Sequence, residues 1–325
     1  MKLQKSFILL IALTLSLITV FASAAAAQVT QQRPALVINK PLERSIASGN
    51  NLYCAGYIQS NGINTDKRIV GAKDETDKYN YAQNDFLYIN VGSRNGVNVG
   101  DLFSVVRPRG QVESKWTSKK VGFYVQEVGA VEVVRVKGDV SVARVKTSCD
   151  VFLLGDLVQP VERRSSPIAE PRPPLDLFAD PSGKARGRIL MSRDGAEAIA
   201  KDFIVYVDLG AEDNVHYGDH LTIFRPLDKG NLFLTPDRED VSARDRNFES
   251  DTYRGGRFSN QAGRKEGDKT QGKVVTTRMA KEGRPADLRK VVGEGVVLNV
   301  KERTATVVIT RNAQEIHTGD WVEIQ

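Results

Sequence analysis

Histidine, cysteine, tryptophan and methionine are all scarce in these 325 residues, which hold three His, two Cys, two Trp and three Met. A metal centre of the usual nitrogen and sulfur ligands has little to be built from. His216 and His220 have the i, i+4 spacing of two ligands on one helix face. Tyr-Gly-Asp lies between them in a turn-and-strand context, where that spacing does not bring two rings together. The Gly-x-Ser-x-Gly elbow, His-Glu-x-x-His, the P-loop and the dinucleotide fingerprint are also missing, so the enzyme classes those motifs mark are excluded. No cofactor or metal is expected, and no carboxylate pair stands out as glycosidase-like.

Long apolar runs are missing too, except at the start. Lys2 and Lys5 precede an apolar stretch from Phe7 to Phe21, and a small-residue end follows at Ala22-Ser23-Ala24-Ala25-Ala26-Ala27. That pattern predicts a secretory signal peptide over 1–27, cut after Ala27, and a periplasmic or secreted product. No later segment has the roughly 20 apolar residues of a spanning helix, so no transmembrane segment is expected after cleavage. Removing the two lysines lowers the formal net charge from +6 to +4, too little to indicate a nucleic-acid partner. In an oxidising compartment the two cysteines, Cys54 and Cys149, form a disulfide candidate, with two separate buried thiols as the alternative.

What the sequence does contain is itself, twice. Phe86–Pro108 lies without gaps on Ile204–Pro226 with seven of 23 positions identical, among them Gly92/Gly210, Gly100/Gly218, Asp101/Asp219 and Arg107/Arg225. Val128–Val158 lies on Val292–Val322 with eight of 31 identical, including Gly155-Asp156/Gly319-Asp320. Unrelated chains of average composition would share roughly 6%, so the two ordered blocks indicate duplication. The offset is 118 in the first block and 164 in the second, which places 46 extra residues in copy two between Pro226 and Val292.

Within each copy, β-branched and aromatic runs alternate with glycine turns. FLYINVG and IVYVDLG read as a strand and turn, LFSVV and LTIF as strands stopped by Arg-Pro, and VEVVRV-KGD-VSVARV as a hairpin. The fold class is therefore mostly β, with two tandem small sheet or barrel-like domains of four or five short strands. The expected organisation is a signal peptide at 1–27, an N-terminal extension at 28–67, copy one at 68–162, a Pro-rich linker at 163–187 and copy two at 188–325. The linker is expected to be extended. In the extension Leu52–Ile58 reads as a strand, which a Cys54–Cys149 bond would staple to copy one. Asp194–Lys201 reads as a short helix or turn ahead of the first strand of copy two.

The insertion, about 227–290, is polar and expected to be disordered; Tyr253–Lys290 carries 11 Lys or Arg against four acids. It reads either as a cationic arm for an anionic surface or as a solvated loop. Gly92, Gly100, Asp101, Gly155, Asp156, Gly210, Gly218, Asp219, Gly319 and Asp320 are expected to shape turns, the aspartates bonding nearby backbone amides. Arg107 and Arg225, each before a proline, are candidate anion contacts, with structural salt bridges as the favoured alternative.

The repeated order of apolar strand, Gly, Gly-Asp turn, strand, Arg-Pro, Gly-led strand pair and closing Gly-Asp-x-Val resembles the C-terminal β-domain of flagellar assembly protein T. It is also similar to regions accompanying LysM modules in exported bacterial proteins. The resemblance covers about 85–160 and 203–325 less the insertion, and implies a periplasmic, non-catalytic part in assembling an envelope structure. The expected function is a scaffold or adaptor binding other envelope proteins, with a peptidoglycan- or carbohydrate-binding module as the alternative.

Overall fold

The computed structural model describes residues 44–227, 285 and 287–325, apart from 48 and 163. The expected signal peptide, and the expected disorder and cationic role of the insertion over 228–284, lie outside the described residues.

The chain is mostly β. The first copy contains β1 (Tyr57–Gln59), β2 (Ile69–Ala72), β3 (Phe86–Ile89), β4 (Leu102–Gln111), β5 (Phe123–Val136), β6 (Ser141–Ser148) and β7 (Leu157–Pro160). They pair in the order β2-β3-β6-β5-β4-β7, and β1 adds to the N-terminal end of β5. A single bridge from Arg68 to Leu157 returns β7 to β2 and curls the sheet into a ring. The second copy contains β8 (Arg186–Ser192), β9 (Ala198–Ile199), β10 (Ile204–Val207), β11 (His220–Pro226), β12 (Arg289–Val300), β13 (Ala305–Asn312), β14 (Ile316–His317) and β15 (Trp321–Ile324). Six of these close a barrel in the order β10-β13-β12-β11-β15-β8, while β9 and β14 pair separately. Closure leaves that barrel no open edge.

The two copies share their strand registers. Tyr88 faces Val142 as Tyr206 faces Thr306, and Ser104 faces Ala130 as Thr222 faces Glu294. Even the bulge after Val105 recurs after Ile223. Side chains alternate across a strand, so equal registers point equivalent residues into equivalent cores. Leu87, Ile89, Val105, Val133, Ala143 and Phe152 fill the first, and Val205, Val207, Ile223, Val297, Val307 and Ile316 the second.

A third apolar cluster joins the copies. Ala55 and Ile58 of the extension and Val121 of the first copy pack on Leu190, Ile204, Tyr206, Leu298 and Val308 of the second. Apolar residues on both faces of a strand mean cover on both faces. Accordingly IVYV of β10 is buried throughout, whereas FLYI of β3 alternates between buried and half-buried. Tyr206 donates its hydroxyl to the Ala55 carbonyl at 2.6 Å, and Thr304 and Thr306 donate theirs to the Ile58 and Gly56 carbonyls.

Several boundaries differ from the sequence reading. Each ring has six strands rather than four or five, because β2 and β8 precede the two aligned blocks. Asp194–Lys201 holds the two-residue β9, and the first strand of copy two, β8, lies before it rather than after it. The linker ends at Ala185, and the insertion ends before Arg289, where β12 begins. Asn50–Tyr53 forms one helical turn, which leaves only β1 of the expected Leu52–Ile58 strand. Arg-Pro does not stop β4, which continues to Gln111 through a bulge between Pro108 and Gly110. A bulge is where a strand tolerates a proline that cannot donate.

Candidate functional site

The four Gly-Asp pairs that recur between the copies form one kind of turn. Each aspartate N–H donates to the carbonyl three residues back, from Asp101, Asp156, Asp219 and Asp320 to Asn98, Leu153, His216 and His317. The preceding Gly100, Gly155, Gly218 and Gly319 have φ of 93°, 92°, 86° and 87°. That is the third position of a type II turn, where L-residues are strained. Each aspartate carboxylate then accepts the N–H three residues back, at 2.7–2.8 Å. Gly92 and Gly210 are glycines for a different reason: a Cβ on either would lie 2.5 Å from the backbone carbonyl of Gly138 or Glu302.

The second Gly-Asp of each copy has a further task, which answers the anion-contact expectation for Arg107 and Arg225. Asp156 receives both Nε (2.7 Å) and NH2 (2.8 Å) of Arg107. Asp320 receives the same two nitrogens of Arg225, both at 2.7 Å. The remaining donors reach Asp150 and the Val151 carbonyl in one copy, and the Glu315 carbonyl and His317 Nδ1 in the other. In both copies the Nε and NH2 edge of the arginine is taken up from within the barrel, as in a structural salt bridge. The Asp156 carboxylate holds the Arg107 guanidinium above its ordinary value, against the burial that opposes it. The pairs tie the end of β4 to the turn before β7, and β11 to the turn before β15.

Cys54 and Cys149 are joined in a disulfide with their Cα atoms 5.6 Å apart. It fastens the extension to the end of β6, and Ala313 takes the place of Cys149 in the second copy. His216 and His220 do not come together: the backbone N–H of His216 donates to Asp219, while His220 faces Arg172. Among the described residues no cluster of His, Cys, Asp or Glu has the arrangement of a metal site, and no helix is long and apolar enough to cross a membrane.

Beside the disulfide lies a residue that sequence reasoning passed over. Glu127 on β5 is buried, and it accepts from Arg164 NH2 at 2.7 Å, Arg164 NH1 at 2.9 Å and the Gly56 N–H at 3.0 Å. Barrel, extension and the strap leaving β7 therefore meet on one carboxylate. The sequence signal was weak, because β5 also carries Glu132 and only burial, where an unpaired charge is too costly, sets Glu127 apart.

Above this junction opens a cleft of about 440 Å³, and a smaller hollow of about 180 Å³ borders the disulfide with Arg193 and Asp194. The sheet supplies the cleft floor through Ser104, Gly129, Ala130, Thr147 and Gln159. Tyr53, Leu102, Lys146 and the strap residues Val161, Glu162 and Arg164 complete the lining. Leu102 (41% exposed) and Tyr53 (49%) leave their apolar surface open to it. Small floor residues between larger walls make a recess that fits a side chain. The chain matches no family model and no curated protein.

Proposed function

We propose that this chain is a non-catalytic adaptor of the cell envelope that binds other envelope proteins. The cleft on the first barrel carries this reading, because it is open, largely apolar and mounted on a frame that cannot easily yield. A disulfide, a buried ion pair and the junction cluster fix its walls. Preorganisation of this kind reduces the ordering cost of association. Both oxygens of Glu127, the carboxylate at its base, are held by Arg164, which suits positioning rather than proton transfer. The signal-like start and the resemblance to the flagellar assembly β-domain support an exported assembly role. Sugar recognition is less favoured, because Tyr53 is the one aromatic ring in the cleft wall.

The test is site-specific photocrosslinking in cells, from Ser104 in the cleft and from Val70, an exposed residue of β2 that does not line the cleft, as control. A discrete protein adduct from position 104, missing from position 70, is expected. Adducts at neither position, alongside co-sedimentation of the purified chain with cell-wall sacculi, would replace this reading with the peptidoglycan-binding one.

A further inference from the structure

The two barrels carry the same row of outward-facing residues. In the first it runs Gln159–Ser104–Ala130–Thr147 across β7, β4, β5 and β6. In the second it runs Glu323–Thr222–Glu294–Arg311 across β15, β11, β12 and β13. The second row is covered by the chain's own linker. Arg172 sits 3.7 Å from Glu294 and donates to His220 Nδ1 and the Gln325 side chain, while Arg311 donates to the Pro173 carbonyl. Thr222, Glu294 and Glu323 are left 9%, 7% and 1% exposed.

Among the described residues no linker crosses the first row in this way, and it lines the cleft. Three replacements set its chemistry: Leu102 stands where the second barrel has His220, Ala130 where it has Glu294, and Val161 where it has Gln325. Each removes a partner of the Arg172 guanidinium. The carboxylates that line the cleft are already engaged, Glu127 by Arg164 and Glu162 by Arg164 and Lys301, and Lys146 adds a further cation. A cationic side chain placed there would lose its water for none of the three partners Arg172 has, whereas an apolar one would lose only water it does not need. Among the described residues of the extension, Asn50–Tyr53 turns as a helix and Tyr53 lines the cleft.

We propose that the cleft of the first barrel receives an extended segment of a partner protein. The segment lies across the row as Arg172–Pro173 lies across the second barrel, and it inserts an aliphatic or aromatic side chain where the linker inserts arginine. The second barrel is thus an internal copy of the bound state. This inference rests on the adaptor reading above and specifies its mode of contact.

The probe is a fluorescent peptide with the sequence Glu170–Phe178, made with Arg172 retained and with Arg172→Leu, and titrated by anisotropy against the chain from residue 28 onwards. The Leu form should bind at least about tenfold more tightly than the Arg form, the difference that burying one aliphatic side chain gives. Ala130→Arg should abolish binding of the Leu form. Ala130→Glu, which restores the carboxylate of the second barrel, should reverse the preference between the peptides. Ala130 is half-buried on the outer face, and an unchanged melting temperature would show that both variants fold. Failure of both peptides to bind, or equal binding of the Leu form to Ala130→Arg, overturns the proposal, as does displacement of the peptide by soluble muropeptides. If the peptides fail while position 104 still traps a protein in cells, the adaptor role survives and only this mode of contact falls.

Discussion

The first barrel closes through one paired position, Arg68 with Leu157, and the second through a three-residue ladder in which Trp321, Val322 and Glu323 face Arg188, Gly187 and Arg186. Beside both, the same two backbone bonds recur, Ile69 to Asp156 and Gly155 to Ile69 in one, Ile189 to Asp320 and Gly319 to Ile189 in the other. The shorter ladder belongs to the copy with the disulfide, the added β1 strand and the open cleft. The longer ladder belongs to the copy whose outer row is covered and whose cysteine position is alanine. Everything the copies share lies in strand registers, Gly-Asp turns and the Arg–Asp tie. Apart from the closing ladder and the insertion in copy two, what separates them lies in what crosses the barrel surface. Duplication has kept the parts that define the ring and freed the cover to diverge.

If the Arg–Asp tie is common architecture, Arg107→Ala and Arg225→Ala should cost alike. Each strands a carboxylate whose side chain is 4% or 2% exposed. Breaking a buried pair from one side costs about 3–5 kcal/mol. Chemical denaturation with hydrogen exchange resolved by barrel would read both losses, and a large loss in one barrel only would break the equivalence. The disulfide should do the opposite and separate the copies. It spans 95 residues, and removing a staple of that reach costs about 2–5 kcal/mol. Cys54→Ser with Cys149→Ser should therefore open the amides of the first barrel and the extension well before those of the second. Equal opening of both would mean that the junction, not the staple, controls the first copy.

A smaller difference is expected at the paired tyrosines. Burial pushes the Tyr206 phenol far above its ordinary value, and its hydroxyl holds the Ala55 carbonyl. Tyr206→Phe should cost about 1–2 kcal/mol, a net hydrogen bond plus a stranded carbonyl. Tyr88 is half-buried on the strand whose outer face has no comparable cover, so Tyr88→Phe should stay within about 0.5 kcal/mol. Thermal melts of the two variants would show whether the junction cluster belongs to the second barrel as heavily as its burial indicates.

Much of the fold was legible in the sequence because alternation, glycine turns and self-similarity are local signals. FLYI and IVYV announced equivalent strands, but being alike in apolar character they did not reveal that only IVYV is buried on both faces. The strands β2 and β8 were missed because RIVGA and RILMS are short and share little beyond Arg and Ile, so an identity search passes over them. The Arg–Asp tie was half legible: Arg107 recurred as Arg225, and Asp156 as Asp320, but their meeting depends on closure between residues 49 positions apart in one copy and 95 in the other. The cleft was not legible at all. It arises from what the strap, the extension and the linker do outside the repeat, where no pattern constrains the path of the chain.

The smallest contrast concerns pH, and it isolates the cover itself. His220 lies under Arg172, where burial, then the guanidinium, hold its imidazole below the ordinary value; Glu294 and Glu170 pull the other way and Arg311 adds to the lowering. The guanidinium can only donate, so the Nδ1 it reaches must carry a lone pair, which fixes the neutral form. A folded value below the unfolded one means that the contribution is complete above about pH 6.5 and declines as pH falls toward the folded value. Protonation then places two cations face to face, and the linker should loosen from the second row without unfolding the barrel. Nuclear magnetic resonance of the linker amides between pH 7 and pH 5 would follow this, with His220→Leu, the residue of the first barrel, removing that dependence. A linker that stays docked throughout would show that Glu294 and Gln325 hold Arg172 without His220, and that the difference between the two rows rests on Ala130 and Val161 rather than on Leu102.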